Sequence, residues 1–389
     1  MKILVVSSFL PYPLDSGGHV RLYNIIKQLS SKHNITLVCE MRSHQSDEDI
    51  TEIKKLCETV VTVKRKKQWS IENIAKTATS AFPFLLVGHT LPEMKQEIVN
   101  QLNNTRFDVI HVETMYVFQN LPKTYLPTVL VEHNIEYMVY EKFAQKAPIY
   151  LRPFLMADIL KIKKWEEMFW KKATKLVAVS EEEKNLMQRT DAVVVPNGVD
   201  IKSFPFKKKK AKKTKTILFM GNFKWIQNVN TAEYIVKEIW PLIKTENVTL
   251  WIVGKHIPQN LKSFASKNII FDENAPVETW KIYQKADILL SPIFVGGGTS
   301  YKILEAMASG VPVVTTELGI KGLKAKDNEH ALIGENANQL ASHVDTILSN
   351  NELYTTLTEN AREFIEKNYT WESITKTLEK VYQDAVNNK

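Results

Sequence analysis

Short runs that are apolar from end to end, each followed by a stretch of helical period, recur along the 389-residue chain. In the first half they read KILVVSSF (2–9), NITLVCEM (34–41), TVVTVK (59–64), FDVIHVET (107–114), TVLVEHN (128–134), KLVAVS (175–180) and AVVVPNGVD (192–200). The second half repeats the plan with TILFMGNF (216–223), VTLWIVGK (248–255), IIFDEN (269–274), ADILLSPI (286–293) and VPVVTTEL (311–318). A strand with one face in water alternates apolar with polar residues. Strands that do not alternate are covered on both faces, and the helices between them supply both the cover and the crossover that parallel pairing needs. The expectation is an α/β chain of two doubly wound parallel-sheet domains, since about 150 residues is the usual domain scale. Residues 1–203 are expected to form the first domain, 204–214 a linker, 215–370 the second domain and 371–389 a terminal helix.

The helical segments carry their own start signals. GHVRLYNIIKQLSSK (18–32) repeats apolar residues at Val20, Leu22 or Tyr23, Ile26 and Leu29. Ser46 opens another as N-cap, with Asp47, Glu48 and Asp49 in its first turn, where acids suit the helix dipole. That triplet has the DXD form of a metal site, but capping accounts for it. Residues 137–174 read as one long helical insertion. Its Trp165, Phe169 and Trp170, set among Lys161, Lys163, Lys164, Lys171 and Lys172, either dip into a headgroup layer or pack on the core, and packing is preferred.

Charge narrows the function classes. The formal net charge is +8, and six lysines of it lie in KKKKAKK (207–213), which reads as a solvated interdomain linker. No aromatic-interleaved basic platform accompanies the run, which argues against nucleic acid. Cys39 and Cys57 have no metal-ligand spacing, and a reducing, cytoplasmic setting is expected. No stretch approaches the roughly 18 to 20 apolar residues of a membrane span, so a soluble or peripheral protein is expected.

Ligands of doubly wound sheets bind beyond the carboxyl ends of the strands. After the first strand comes LPYPLDSGGH (10–19), where Gly17 and Gly18 precede a helix; the pair could face a phosphate or sugar hydroxyl, or be ordinary turn chemistry. FVGGGTSYKILEAMASGVPVV (294–314) is richer. Gly296, Gly297 and Gly298 let backbone approach a ligand and hand over to a helix at Thr299 or Ser300. Lys302 in the first turn opposes the dipole, which implies a compensating anion unless the side chain is simply solvated. Thr299 to Glu305 spans ~9 Å of helix, the reach from a diphosphate to a ribose, so Glu305 could accept ribose hydroxyls.

GGGTSYKILEAMASGVPVV, with VVPNGVD (194–200) and PYPLDSGG (11–18), resembles the glycosyltransferase family 4 transferases, and within them a subgroup with a GGGT-x-x-KILEAM motif. The resemblance runs along essentially the whole chain. It implies a GT-B fold, two Rossmann-like domains facing across a cleft, and a final helix that crosses back to the N-terminal domain. It also implies a retaining, metal-independent transfer without a cofactor. The donor, a UDP- or GDP-sugar, would be held by the C-terminal domain and the acceptor, a glycan or lipid-linked glycan, by the N-terminal one. Polysaccharide or cell-envelope glycoconjugate synthesis is the setting implied, in the cytoplasm or as a peripheral protein on an anionic inner membrane face. The phosphate cations of such enzymes follow the first C-terminal strand, where this chain has Asn222 and Lys224.

Two positions depart from the family. The first acid of its paired-glutamate motif falls at 297, here Gly297, which suggests altered donor recognition. Where relatives have His-x-His, this chain has His111 and Glu113, so the second histidine's role falls to Glu113 or to His133. Two other readings stand beside the transferase: a non-catalytic nucleotide-sugar-binding subunit of a glycan assembly complex, and a GT-B nucleotide-sugar 2-epimerase.

Overall fold

The computed structural model describes residues 1–389 apart from 209–212, 277, 295–298, 388–389 and the side chain of Lys146. It divides into two compact units, Met1–Val195 with Thr375–Lys389, and Pro196–Ile374. The expected linker, 204–214, therefore belongs to the second unit.

Unit 1 holds a seven-stranded sheet: β1 (Lys2–Ser7), β2 (Asn34–Met41), β3 (Thr59–Lys64), β4 (Val109–Glu113), β5 (Thr128–Val131), β6 (Lys175–Ala178) and β7 (Val193–Val194). Their order is β3-β2-β1-β4-β5-β6-β7, and every pair is parallel. Unit 2 holds a six-stranded sheet: β8 (Lys215–Met220), β9 (Val248–Val253), β10 (Ile269–Asp272), β11 (Ile288–Ser291), β12 (Val313–Thr315) and β13 (Leu332–Ile333). Its order, β10-β9-β8-β11-β12-β13, is parallel throughout. The sequence reading had no counterpart to β13, whose apolar run, 331–333, is closed off by His330 and Gly334.

In both sheets the chain first steps outward from its opening strand and then returns to continue on the other side. The order thus reverses beside β1 and β4 in one sheet and beside β8 and β11 in the other. Loops leaving the two strands at such a point diverge to opposite faces of the sheet and leave a crevice at their carboxyl ends. The register sets Ser7 against Glu113 at the first of these points.

Local sequence explains the surrounding helices. Ser16 accepts the His19 amide at 3.4 Å and starts the helix Gly17–Leu29. Ser46 and Asp49 form a capping box, the Ser46 amide donating to Asp49 Oδ2 at 2.8 Å, in keeping with capping by the acid triplet. The insertion 137–174 is two helices, Glu136–Lys146 and Arg152–Lys172, not one. Pro148 between them has no amide to donate, and it disfavours helical backbone at Ala147. Phe169 and Trp170 are buried with Ile110, Val112 and Leu130 of the sheet, and Trp165 stacks on Phe82 at 4.4 Å, so these rings pack on the core. Glu166, buried in the second helix, accepts the amides of Glu136 at 2.8 Å and Tyr137 at 3.2 Å. It thereby fixes the chain just beyond His133.

Lys207, first lysine of the basic run, is not a solvated linker residue. Only 6% exposed, it donates to the Ala286 carbonyl and lies 3.4 Å from Asp287 Oδ1, whose other oxygen accepts the Thr216 amide at 2.9 Å. Its own amide bonds to Ser309 O at 2.9 Å. Removing one member of a buried ion pair costs about 3 kcal/mol or more. Lys207→Ala is therefore expected to lower the urea midpoint strongly, while Lys208→Ala, at an exposed position, leaves it unchanged; equal effects would contradict this role.

Candidate functional site

Unit 1 collects titratable side chains at the β1–β4 reversal. Glu113, the last residue of β4, is fully buried, and both its oxygens are taken: His111 Nε2 lies 2.6 Å from Oε2 and His133 Nε2 lies 2.5 Å from Oε1. Burial alone would raise the Glu113 carboxyl, but the charge of His133 and the hydrogen bonds from both histidines outweigh it and hold the group well below the usual carboxylate range. Behind it, buried Arg21 places Nε 4.0 Å from Oε1 and donates from Nη2 to Val195 O at 2.7 Å. An ionised Glu113 accepts only, so each histidine presents an Nε2–H to it. His111 Nδ1 lies 2.6 Å from the hydroxyl of Tyr382 in the terminal helix Trp371–Asn387.

The two histidines differ in what remains. His111 is 1% exposed and spent on both ring nitrogens, whereas the His133 side chain is 19% exposed. A Cβ built on Gly18 would lie 3.6 Å from His133 Nδ1 and Cε1, so the glycine leaves the free edge of this ring uncovered. The next residue after Glu113 is strained: Thr114 has φ 70° and ψ 152°, a region that is glycine's by steric right, at a cost of about 1–3 kcal/mol. Its hydroxyl lies 3.3 Å from Ser8 Oγ, across the reversal point. Glu113, His111, His133 and Gly18 are thus one cluster. Gly17 opens the adjoining helix.

Unit 2 has a different arrangement at the β8–β11 reversal. The helix Tyr301–Ala308 begins two residues later than Thr299, so Lys302 and Glu305 stand one turn apart on the same face, about 4.5 Å of rise. Thr299 is buried before the helix, its hydroxyl 3.4 Å from Gly322 O. Lys302 Nζ donates to Asn228 Oδ1 at 3.1 Å and lies 4.9 Å from the centre of the Phe219 ring. Burial pushes this ammonium down to about 8. Tyr283 Oη lies 3.1 Å from both Lys302 O and Glu305 Oε2, and Thr279 also bonds to Glu305. Burial pushes Glu305 up to about 7, against those two hydrogen bonds. Among the described residues no carboxylate pairs with Lys302 and no cation pairs with Glu305.

The loop after β8 is wired to the same place. Asn228 Nδ2 donates to Asn222 O at 2.8 Å, and Asn222 Oδ1 accepts the Lys224 amide at 3.1 Å. Asn222 and Lys224 are exposed, so the loop presents the Lys224 ammonium to solvent. Gly254, at φ +150°, lets the following loop close on this one: a Cβ there would fall 1.8 Å from Gly221 O. Gly297 and Gly298 lie outside the described residues. Sequence reasoning missed Tyr382, Asn228, Tyr283 and Thr279, which hold the expected residues in place and carry no local motif.

Residues 16–203 match the family described as Glycosyltransferase Family 4, and residues 214–350 match Glycosyl transferases group 1. An uncharacterized 44.6 kDa protein of the cps region of Klebsiella pneumoniae is 24% identical over 388 residues, 95% of this chain and 96% of its own. A phosphatidyl-myo-inositol mannosyltransferase of Mycobacterium leprae is 25% identical over half of this chain (50%) and 54% of its own. Among solved structures, sucrose-phosphate synthase of Thermosynechococcus elongatus superposes with a TM-score of 0.74 at 15% identity over 100% of both chains. HepE of Anabaena in complex with UDP-glucose gives 0.68 at 13% identity over 99% of this chain and 100% of that one.

A desolvated ammonium without a carboxylate is a liability in the unliganded protein. Lys302→Met, which keeps the volume and removes the charge, is expected to raise stability in urea by about 1 kcal/mol. A fall of that size would mean that the ammonium is compensated from within the fold.

Proposed function

The chain belongs to the glycosyltransferases of family 4 and group 1 and is a glycosyltransferase of the GT-B type; from that premise we propose that it is a retaining, metal-independent enzyme using a nucleoside-diphosphate sugar. The acceptor in this reading is a glycan or lipid-linked glycan held by unit 1, and the process is polysaccharide or cell-envelope glycoconjugate synthesis. A lipid-linked acceptor would have the enzyme work as a peripheral protein at the cytoplasmic face of a membrane. HepE has been crystallised with UDP-glucose, and a mutant of S. aureus TarM with UDP, α-GlcNAc-glycerol and Fondaparinux; donors and acceptors of those classes support the reading by analogy.

The observation that carries it is the placement of Lys302 and Glu305 on one face of one helix without an ion pair between them. An ammonium and a carboxyl stand one helical turn apart, both desolvated and neither neutralised by the other. A ligand that offers an anion to the first and hydroxyls to the second would satisfy both, as the diphosphate and ribose of a nucleotide do. In the transfer, the bond from the anomeric carbon to the diphosphate breaks, and a bond to the acceptor oxygen forms on the same face. The proton of the acceptor hydroxyl passes to the departing diphosphate oxygen. Lys302, with Lys224 from the exposed loop, stabilises the charge that builds on the diphosphate. His133 takes the role near the donor sugar that the family gives a histidine, because it alone in its cluster reaches solvent. Glu113, His111 and Tyr382 position it.

Incubation with UDP- and GDP-sugars tests the reading. Transfer to an acceptor, or slow donor hydrolysis, is expected, with Glu305→Ala and Lys302→Ala each weakening nucleotide binding about tenfold through the loss of a charge-assisted contact. Tight binding without turnover would favour a non-catalytic subunit, and inversion at a ring carbon without acceptor would favour an epimerase. Nucleotide affinity has a definite pH signature. Below about 7 free Glu305 is protonated and binding must expel a proton; above about 8 free Lys302 is neutral and binding must take one up. Titration calorimetry should therefore find affinity highest between those values and falling on both sides; affinity that stays flat from well below the first value to well above the second would contradict the assignment.

A further inference from the structure

The helical hairpin Glu136–Lys146 and Arg152–Lys172 turns apolar rings outward at its tip. Phe143, Ile149, Tyr150 and Phe154 are each more than 60% exposed, and Leu160 follows at 64%. Single exposed apolar side chains are ordinary, but a contiguous group at the end of one element is not. A second element extends the patch. Lys161 donates to the carbonyls of Thr77 at 2.6 Å and Ser80 at 2.9 Å, and the Phe84 amide donates to Asp158 Oδ1 at 2.9 Å, which holds the helix Ile71–Thr79 and its approach beside Arg152–Lys172. That approach exposes Trp69 at 79% and Ile71 at 88%.

The charge around these rings is one-sided. Residues 137–174 carry eight Lys and Arg against four Asp and Glu. Of the four acids, Glu166 is buried on the amides of Glu136 and Tyr137, and Asp158 is engaged by Phe84. Exposed Lys163 and Lys164 stand about one turn beyond Leu160 on the same helix, with Lys142 and Arg152 nearer the tip. Apolar rings at the tip with ammonium groups a turn behind match the two layers of an anionic bilayer surface, acyl chains beneath and phosphates above. A second copy of this chain is a poorer occupant, because a two-fold contact would set these cations against themselves.

We propose that this hairpin tip, with Trp69 and Ile71, is a docking surface for an anionic lipid bilayer. It rests on the peripheral-membrane part of the reading above and names the surface responsible. Its test uses vesicles free of acceptor and donor, so that its failure and that of the transferase reading are separable. The full chain is sedimented with vesicles of phosphatidylcholine alone or mixed with phosphatidylglycerol, at low and high salt. Binding is expected only with the anionic lipid and is expected to weaken with salt. The double variants Phe143→Ser with Phe154→Ser, and Lys163→Glu with Lys164→Glu, should each lower vesicle partition about tenfold. Trp69→Ser, on the other element, should lower it less, and nucleotide affinity should be unchanged in all three. The proposal is overturned if anionic vesicles do not retain the protein, if the variants partition like the parent, or if the apolar variants dissolve a dimer while vesicle binding is absent.

Discussion

A parallel strand buried on both faces has nowhere to display a side chain except at its ends, and in both sheets that restriction is what creates the sites. Strand order reverses beside β1 and β8, so the loops that leave β1 and β4, or β8 and β11, part to opposite faces. The candidate site residues gather there: Gly18, Glu113 and His133 in one unit, Asn222, Lys224, Lys302 and Glu305 in the other. The surrounding helices cover the sheets, fixed by caps such as Ser16 and by buried acceptors such as Glu166.

The two clusters treat buried charge in opposite ways. Glu113 is fully compensated, with a histidine on each oxygen and Arg21 behind, and the low pKa direction reflects it. Such a carboxylate orients its neighbours and is closed to substrate. Lys302 and Glu305 are left poised, the ammonium pushed down to about 8 and the carboxyl up to about 7, each held by neutral groups only. A site that awaits an ion from outside has this character, and so its stability and its binding function pull against each other.

Much of the fold was legible because it is written in local pattern. The seven strands of unit 1 and five of the six in unit 2 follow from apolar runs; β13 escaped because its run, 331–333, is shorter than the run 192–195 that revealed the equally short β7. The break at Pro148 lay in the sequence as an Ala-Pro step inside a helical period, yet periodicity on both sides masked it. What pattern could not supply was pairing across the fold. Tyr382 meets His111 from 271 positions away and Lys302 finds Asn228 at a separation of 74, so neither contact leaves a local trace. Nor does sequence show that Glu113 is fully enclosed while the His133 side chain is 19% exposed. Lys207 belonged by composition to a solvated run, and only Asp287, 80 residues on, makes it a core residue.

The central claim is that a nucleoside diphosphate spans Lys302 and Glu305. A structure of the protein with a UDP- or GDP-sugar tests it most directly. The account predicts a phosphate oxygen within hydrogen-bond reach of Lys302 Nζ and the ribose hydroxyls on the Glu305 carboxylate, with the sugar passing residue 297. A nucleotide bound elsewhere, or one whose ribose and phosphates leave both side chains untouched, would contradict it.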